Sequence, residues 1–402
     1  MANDIEQLLI NESGRIGPDI YRKTLNTSPW LKLIKQDTWP DEMGDTISVL
    51  TYERSLYDQS ALTWGNVSVT GGSNCVPAAE QINFAQTLRS YNLQQTALES
   101  PEICVSDLRF TLKRKEQLSN IFEILKENTA WAWQNRYRDE YVRVSEHKIV
   151  AKANGASLYE GTASFPAQQP TSRLTQGILD RIYLQLVRDG AGNKPMGRQN
   201  GRPEFTIICS PETSDHLIRS DANIRQDYRW NAGVVNELLA PLGVEKSFRG
   251  FYHLIDMFPK RWDYDAEDGW IERFPYVAVP DADPSSYLPT GQKGAKFVVN
   301  PAYEAAAYED TVVFHQDVFT SLIPAPITSP GGNTSFDPVS YRGDFKWKNI
   351  PNKQTNPDGT IGYFRGVLSN GTKPIRPEWG YVVRHLRCAP TLGLVDCDGE
   401  AV

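Results

Sequence analysis

Between Lys113 and Val144, apolar and small side chains return at steps of three and four: Leu118, Ile121, Phe122, Leu125, Thr129, Ala132, Trp133, Tyr137, Tyr141 and Val144. Lys113, Lys115, Glu116, Lys126, Glu127 and Asp139 fill the intervening positions. This spacing predicts one amphipathic helix with a single buried stripe. At about 1.5 Å per residue it would run roughly 45 Å, well beyond the usual three turns, so it reads as a spine on which other elements are laid.

Ahead of the spine the pattern is sparser. Residues 1–45 carry scattered anchors, Ile5, Leu8 and Leu9 at helical spacing and then Ile20, Tyr21, Leu25, Trp30, Leu31, Leu33 and Trp39, as in a strap over another surface. Thr46 to Glu53 and Trp64 to Thr70 alternate with period two, with Asp58, Gln59 and Ser60 between them and Gly71-Gly72-Ser73-Asn74 after them. They predict a long hairpin arm. A two-stranded hairpin alone is marginal in water, so the arm has to lie on its own body or on a neighbouring subunit. From Ala78 to Thr111 the chain is polar and extended, with Ile82, Phe84, Leu88, Tyr91 and Leu93 at sheet positions.

Pro166 and Pro170 mark a boundary, and a new body follows. Leu174 to Val187 reads as a helix, stopped by Asp189 to Asn193. Phe205 to Cys209 is a short β-rich run, and Ser210-Pro211 supplies an N-cap and an N1 proline for a helix from Glu212 to Ile218. A further helix is expected from Asn231 to Leu242, and strands at Phe251 to Phe258 and Tyr276 to Val279, separated by the acidic loop Asp263 to Asp268. Thr311 to Phe319 reads as one strand that closes this body before Pro324 and Pro326. The tail, 329–402, offers strands at Phe345 to Lys348, Gly362 to Leu368 and Gly380 to Leu386.

With 402 residues and 40% hydrophobic content, the chain can build the cores of two or three domains. A net charge of -7 argues against tight, charge-driven nucleic-acid binding. No apolar run approaches about eighteen residues, and the start Met1-Ala2-Asn3-Asp4-Ile5-Glu6 is acidic, so neither a membrane span nor a signal peptide is expected, and the chain should stay in the cytosol. Cys75, Cys104, Cys209, Cys388 and Cys397 are odd in number, scattered and never in a C-x-x-C pair, as expected of reduced thiols.

The search for chemistry returns little. His147, His216, His253, His315 and His385 include no pair at the i, i+4 spacing of a helical metal site. Cys209 and His216 could form a nucleophile and base, but Cys209 ends an apolar strand and reads as core. His253 with Asp256 reads as a structural pair. Asp263 to Gly269 has calcium-loop texture, yet Asp268 stands where glycine is needed and Phe274 where glutamate is needed. Gly190 to Lys194 lacks the P-loop spacing. No catalytic, cofactor-binding or metal-ligating residue is assigned, no cofactor is expected, and the chain is not expected to be an enzyme. Trp131, Trp133, Tyr137 and Tyr141 fall on or beside the spine's apolar stripe, where large rings pack cores and anchor interfaces.

The order of strap, hairpin, spine, hinged α/β body and late β segment resembles the major capsid proteins of tailed bacteriophages, the Hong Kong 97-type fold. The more specific echoes are Phe205 to Leu217 (Phe-Thr-Ile-Ile-Cys-Ser-Pro-Glu-Thr-Ser-Asp-His-Leu) and Asn300 to Pro326, similar to axial-domain and return segments of that family. The resemblance implies an α+β fold with an N-arm at 1–45, an extended β-hairpin loop at 46–82, a peripheral domain at 83–165 with its spine helix at 113–144, and an axial α/β domain at 166–328. Residues 329–402 would return to the peripheral domain or form an insertion or surface decoration. It also implies self-assembly into hexamers and pentamers, an icosahedral phage head around double-stranded DNA that is contacted weakly, a separate scaffolding protein, a portal and decoration proteins. The chain would reside in the virion, and in the host cytoplasm during assembly, with no membrane partner. The alternatives are an encapsulin-like compartment and a cytosolic carbohydrate-binding or hydrolytic protein.

Overall fold

Strands make up most of what the computed structural model describes, namely residues 30, 33–39, 46–52, 86–100, 103–104, 131–152, 159–161, 164–199, 201–220, 247–248, 250–280, 295–324, 342–349 and 361–387. In chain order the first strands are Lys35–Trp39 (β1), Thr46–Tyr52 (β2), Gln86–Glu99 (β3), Ile103–Cys104 (β4), His147–Val150 (β5) and Tyr159–Gly161 (β6). The central ones are Gly197–Gln199 (β7), Arg202–Cys209 (β8), Ser247–Phe248 (β9), Phe251–Ile255 (β10), Arg261–Asp265 (β11), Gly269–Arg273 (β12), Tyr276–Pro280 (β13) and Ala295–Val299 (β14). Tyr308–Phe314 (β15), Phe319–Pro324 (β16), Arg342–Asn349 (β17), Ile361–Pro374 (β18) and Tyr381–Leu386 (β19) complete the set. Helices are 131–144 (α1), Gln176–Arg188 (α2), Pro211–Ser220 (α3) and the single turn Pro301–Glu304 (α4). The fold is mixed α+β.

A ten-stranded sheet runs β6-β5-β19-β15-β8-β10-β9, with β11 attached to β15, β12 to β11 and β7 to β8. A seven-stranded sheet runs β1-β16-β18-β3-β2, with β17 and β4 also on β18. Both faces of β15 are buried, which is why its sequence, Tyr-Glu-Asp-Thr-Val-Val-Phe, shows no inside-outside alternation. Its Asp310 is matched internally: Arg384 makes a two-pronged ion pair with it (2.8 and 3.0 Å) and is flanked by the rings of Phe165, Trp262 and Trp270.

The sequence pattern predicts a single strand from Thr311 to Phe319, which spans the end of β15 and the first residue of β16. The chain instead bends at His315–Val318 and passes from the ten-stranded sheet to the seven-stranded one. Helix α1 lies across this crossover. Its Tyr141 hydroxyl donates to the Val313 carbonyl (3.1 Å) and accepts from the His315 N–H (2.9 Å), while the Tyr137 hydroxyl meets Ser321 Oγ at 3.0 Å. Trp133, Tyr137 and Tyr141 are buried, as the stripe requires. The predicted helix upstream of residue 131, the helix at Asn231 to Leu242 and the strand at Trp64 to Thr70 lie outside the described residues.

Other sequence expectations are refined. Ser210 caps α3, its Oγ accepting from the Thr213 N–H at 3.1 Å, with Pro211 at the first helical position. The strand paired with β2 is the Gln86–Asn92 half of β3, so the arm's return strand lies beyond residue 82. Residues 361–374 and 381–386 are not surface decoration: β18 is the central strand of one sheet and β19 lies between β5 and β15 in the other, with Phe364, Val382 and Val383 buried. Asp263 and Asp265 lie in β11, and the acidic loop is the tip of the β11–β12 hairpin, turning at Gly269 with φ +75°.

Candidate assembly surfaces

Strand β3 changes partner half-way. Residues 93–99 pair with β18, whereas residues 86–92 pair with β2 alone among the described strands. The β2–β3 half therefore leaves the seven-stranded sheet as a two-stranded ribbon. Main-chain bonds hold this ribbon, and it has no third partner strand among the described residues; a two-stranded ribbon alone is marginal in water.

The strap is anchored at three points. Trp30 is fully buried against Tyr141 and Phe314, with ring centroids 5.6 and 6.0 Å apart. β1 pairs in parallel with β16, and the Trp39 ring covers Gly371 of β18 so closely that a Cβ there would collide with it. Lys35 then pairs with Asp317 on the crossover, which Lys194 also reaches at 3.4 Å. Burial works against the Asp317 carboxylate, but the Lys35 contact, with Lys194 and His315 nearby, outweighs it and holds the group below its ordinary range.

Exposed apolar side chains cluster on the β13–β14 ribbon and its approach. Phe274 is 62% and Met257 66% exposed, and Tyr276 sits opposite Val299. Tyr276 meets Trp131 edge-on and Phe258 at a tilt, so the patch is continuous with the Trp131 side chain of α1.

Cys209 is fully buried, and burial, reinforced by the Glu309, Asp256 and Glu212 carboxylates, pushes its thiol up, opposite to what a nucleophile needs. His253 meets Ser214 Oγ at 3.1 Å, while Asp256 accepts from Gln134 Nε2 (3.1 Å) and the Phe258 N–H (3.0 Å), so each is tied to a different partner than the sequence pairing suggested. A hydroxyl, carboxylate and imidazole do converge at Ser210, Glu309 and His385, a grouping that sequence reading missed because the three lie far apart in the chain. There Ser210 and Thr213 both donate to Glu309, the imidazole is 4.0 Å from that carboxylate, and all are buried. This arrangement caps a helix and offers no face to a substrate. Among the described residues no cluster of His, Cys, Asp and Glu suited to a metal ion occurs.

No family model matches the sequence, and no curated protein matches it. Among solved structures, the chain is similar to the capsid of Ralstonia phage GP4 at 11% identity and a TM-score of 0.47, covering 90% of this chain and 89% of that one. It is similar to the acid-stable capsid of Helicobacter pylori bacteriophage KHP30 at 10% identity and a TM-score of 0.44, covering 90% and 91%. It is also similar to the SrpI encapsulin complex of Synechococcus elongatus at 10% identity and a TM-score of 0.40, covering 89% and 87%.

Proposed function

We propose that this chain is a major capsid protein, a structural subunit that assembles with copies of itself into hexamers and pentamers and so into an icosahedral phage head around double-stranded DNA. The observation that carries the reading is the β2–β3 ribbon, which leaves the sheet with no third partner strand among the described residues. A subunit whose arm is completed only by a neighbour is suited to a shell. The exposed apolar patch at Phe274, Tyr276 and Val299 adds a second surface of the kind that neighbours cover.

In this reading residues 1–45 form the N-arm, the ribbon forms the extended loop, α1 is the end of the peripheral spine, and the β8–β15 sheet is the axial body. A separate scaffolding protein and a portal would set shell size and the DNA entry point. Electron microscopy of the purified chain, alone and co-produced with the other head proteins of its phage, tests the proposal. Closed shells containing DNA are expected; shells filled with protein cargo would favour an encapsulin-like compartment, and a strictly monomeric protein would sink both. Deleting residues 54–63 should leave a folded subunit that assembles poorly, and normal assembly of that variant would remove the arm from the mechanism.

A further inference from the structure

The ten-stranded sheet carries opposite charges at its two ends. β8 pairs with β15 at Val312 to Phe314, and the β7–β8 hairpin continues past that end, turning at Gly201 with φ +78°. It exposes Arg198 and Arg202, with Arg188 at the end of α2 and Lys194 of the following turn also exposed. Arg198 Nη2 donates to the Gly192 carbonyl at 3.1 Å, tying the hairpin to that turn. Arg188, Arg198 and Arg202 form no ion pair among the described residues.

β11 pairs with β15 at the opposite end, at Tyr308 and Glu309, and the β11–β12 hairpin runs on beyond it. Its exposed tip is Asp265-Ala266-Glu267-Asp268. Asp265 Oδ1 accepts from the N–H groups of Glu267 (2.8 Å) and Asp268 (3.3 Å), which fixes the turn, and Glu267 and Asp268 form no ion pair among the described residues. Strand length puts the two tips on the order of 40 Å apart, so they cannot neutralise each other within one subunit.

We infer that the basic β7–β8 hairpin of one subunit docks on the acidic β11–β12 hairpin of a second copy of this chain, head to tail. Uncompensated charges of opposite sign on the two ends of one rigid sheet are complementary between copies, and a heterologous contact of this kind closes into a ring when its rotation permits. A polyanion such as duplex DNA would satisfy the basic end only, whereas a second copy accounts for both. The inference rests on the shell reading and specifies one of its contacts.

The test is a charge exchange in the full chain. One variant carries Arg188→Glu and Arg202→Glu, a second Glu267→Lys and Asp268→Lys, and a third all four; Arg198 and Asp265 are kept because they hold the hairpin and the turn. Sedimentation velocity should show self-association weakened about tenfold in each two-substitution variant at low salt, with near-parental association in the four-substitution chain. The deficits should shrink at about 1 M salt, where charges are screened beyond about 3 Å. Parental association in the two-substitution variants, or an uncorrected defect in the third, overturns the contact. Loss of binding to a short DNA duplex in the first variant, with self-association unchanged, also overturns it and assigns the hairpin to nucleic acid. Normal shells from both reversed variants would reject this contact and leave the shell reading standing. Reversal-sensitive small oligomers from a parent that never forms shells would keep the contact and reject the shell reading.

Discussion

Tyr141 shows how much one side chain on the spine has to do. Its hydroxyl is wedged between the Val313 carbonyl and the His315 N–H, and its ring stacks on Phe314 at 5.0 Å. Tyr141→Phe keeps the ring but leaves a buried N–H unmatched, so we expect a loss of about 1–3 kcal/mol in denaturant unfolding. His253 makes a pH prediction. Burial pushes its imidazole from 6.5 down to about 4, so between those values the unfolded chain binds a proton that the folded chain does not. Stability should therefore fall as pH drops through that window and show no further loss from this group below it. His315, lowered first by burial, acts in the same direction, whereas the contribution of Asp317 is lost only below 3.8. His253→Gln should flatten the decline in melting temperature across that window; an unchanged slope would assign the loss elsewhere. Ser210 and Pro211 were legible in the sequence because a cap acts on its own next residues. The Lys35–Asp317 pair was not, because 282 positions separate its members.

At the scale of elements, periodicity located α2, β8, β10 and β13 and failed where pairing, rather than pattern, decides. The sequence expectation stopped β18 at Leu368, since Ser369-Asn370-Gly371-Thr372-Lys373 has no apolar member, yet the ladder to β3 and β16 carries it on to Pro374. Thr311 to Phe319 was over-extended for the converse reason: apolar residues flank a bend whose polar Gln316 and Asp317 gave the only hint. Gly371 tests the fit of strap to sheet. Gly371→Ala should displace the Trp39 ring and cost about 1–3 kcal/mol, as overpacking does, whereas in a Trp39→Leu background the same substitution should cost much less by calorimetry. A neutral Gly371→Ala variant would mean that the ring can move aside freely.

For the whole molecule, the two larger sheets meet where β15 runs into β16 beneath α1, and the chain returns from β18 to β19 beside the same bend. Hydrogen exchange should reflect this arrangement. Amides of β15, β8 and β19 should exchange slowest in the isolated subunit, and those of β2 and residues 86–92 quickly, the latter slowing only once particles form. Equal protection of the ribbon before and after assembly would contradict its dependence on a neighbour. The position of β19 has a consequence for synthesis. It lies between β5, to which it is parallel, and β15, so a strand read near residue 380 fills a gap between strands laid down some 230 and 70 positions earlier. Until that strand has been made β5 and β15 share no ladder, and contacts this distant in sequence form slowly. A fragment cut short before Tyr381 is accordingly expected to leave β5 and β15 without their shared partner and to lose the slow exchange of the β15 amides.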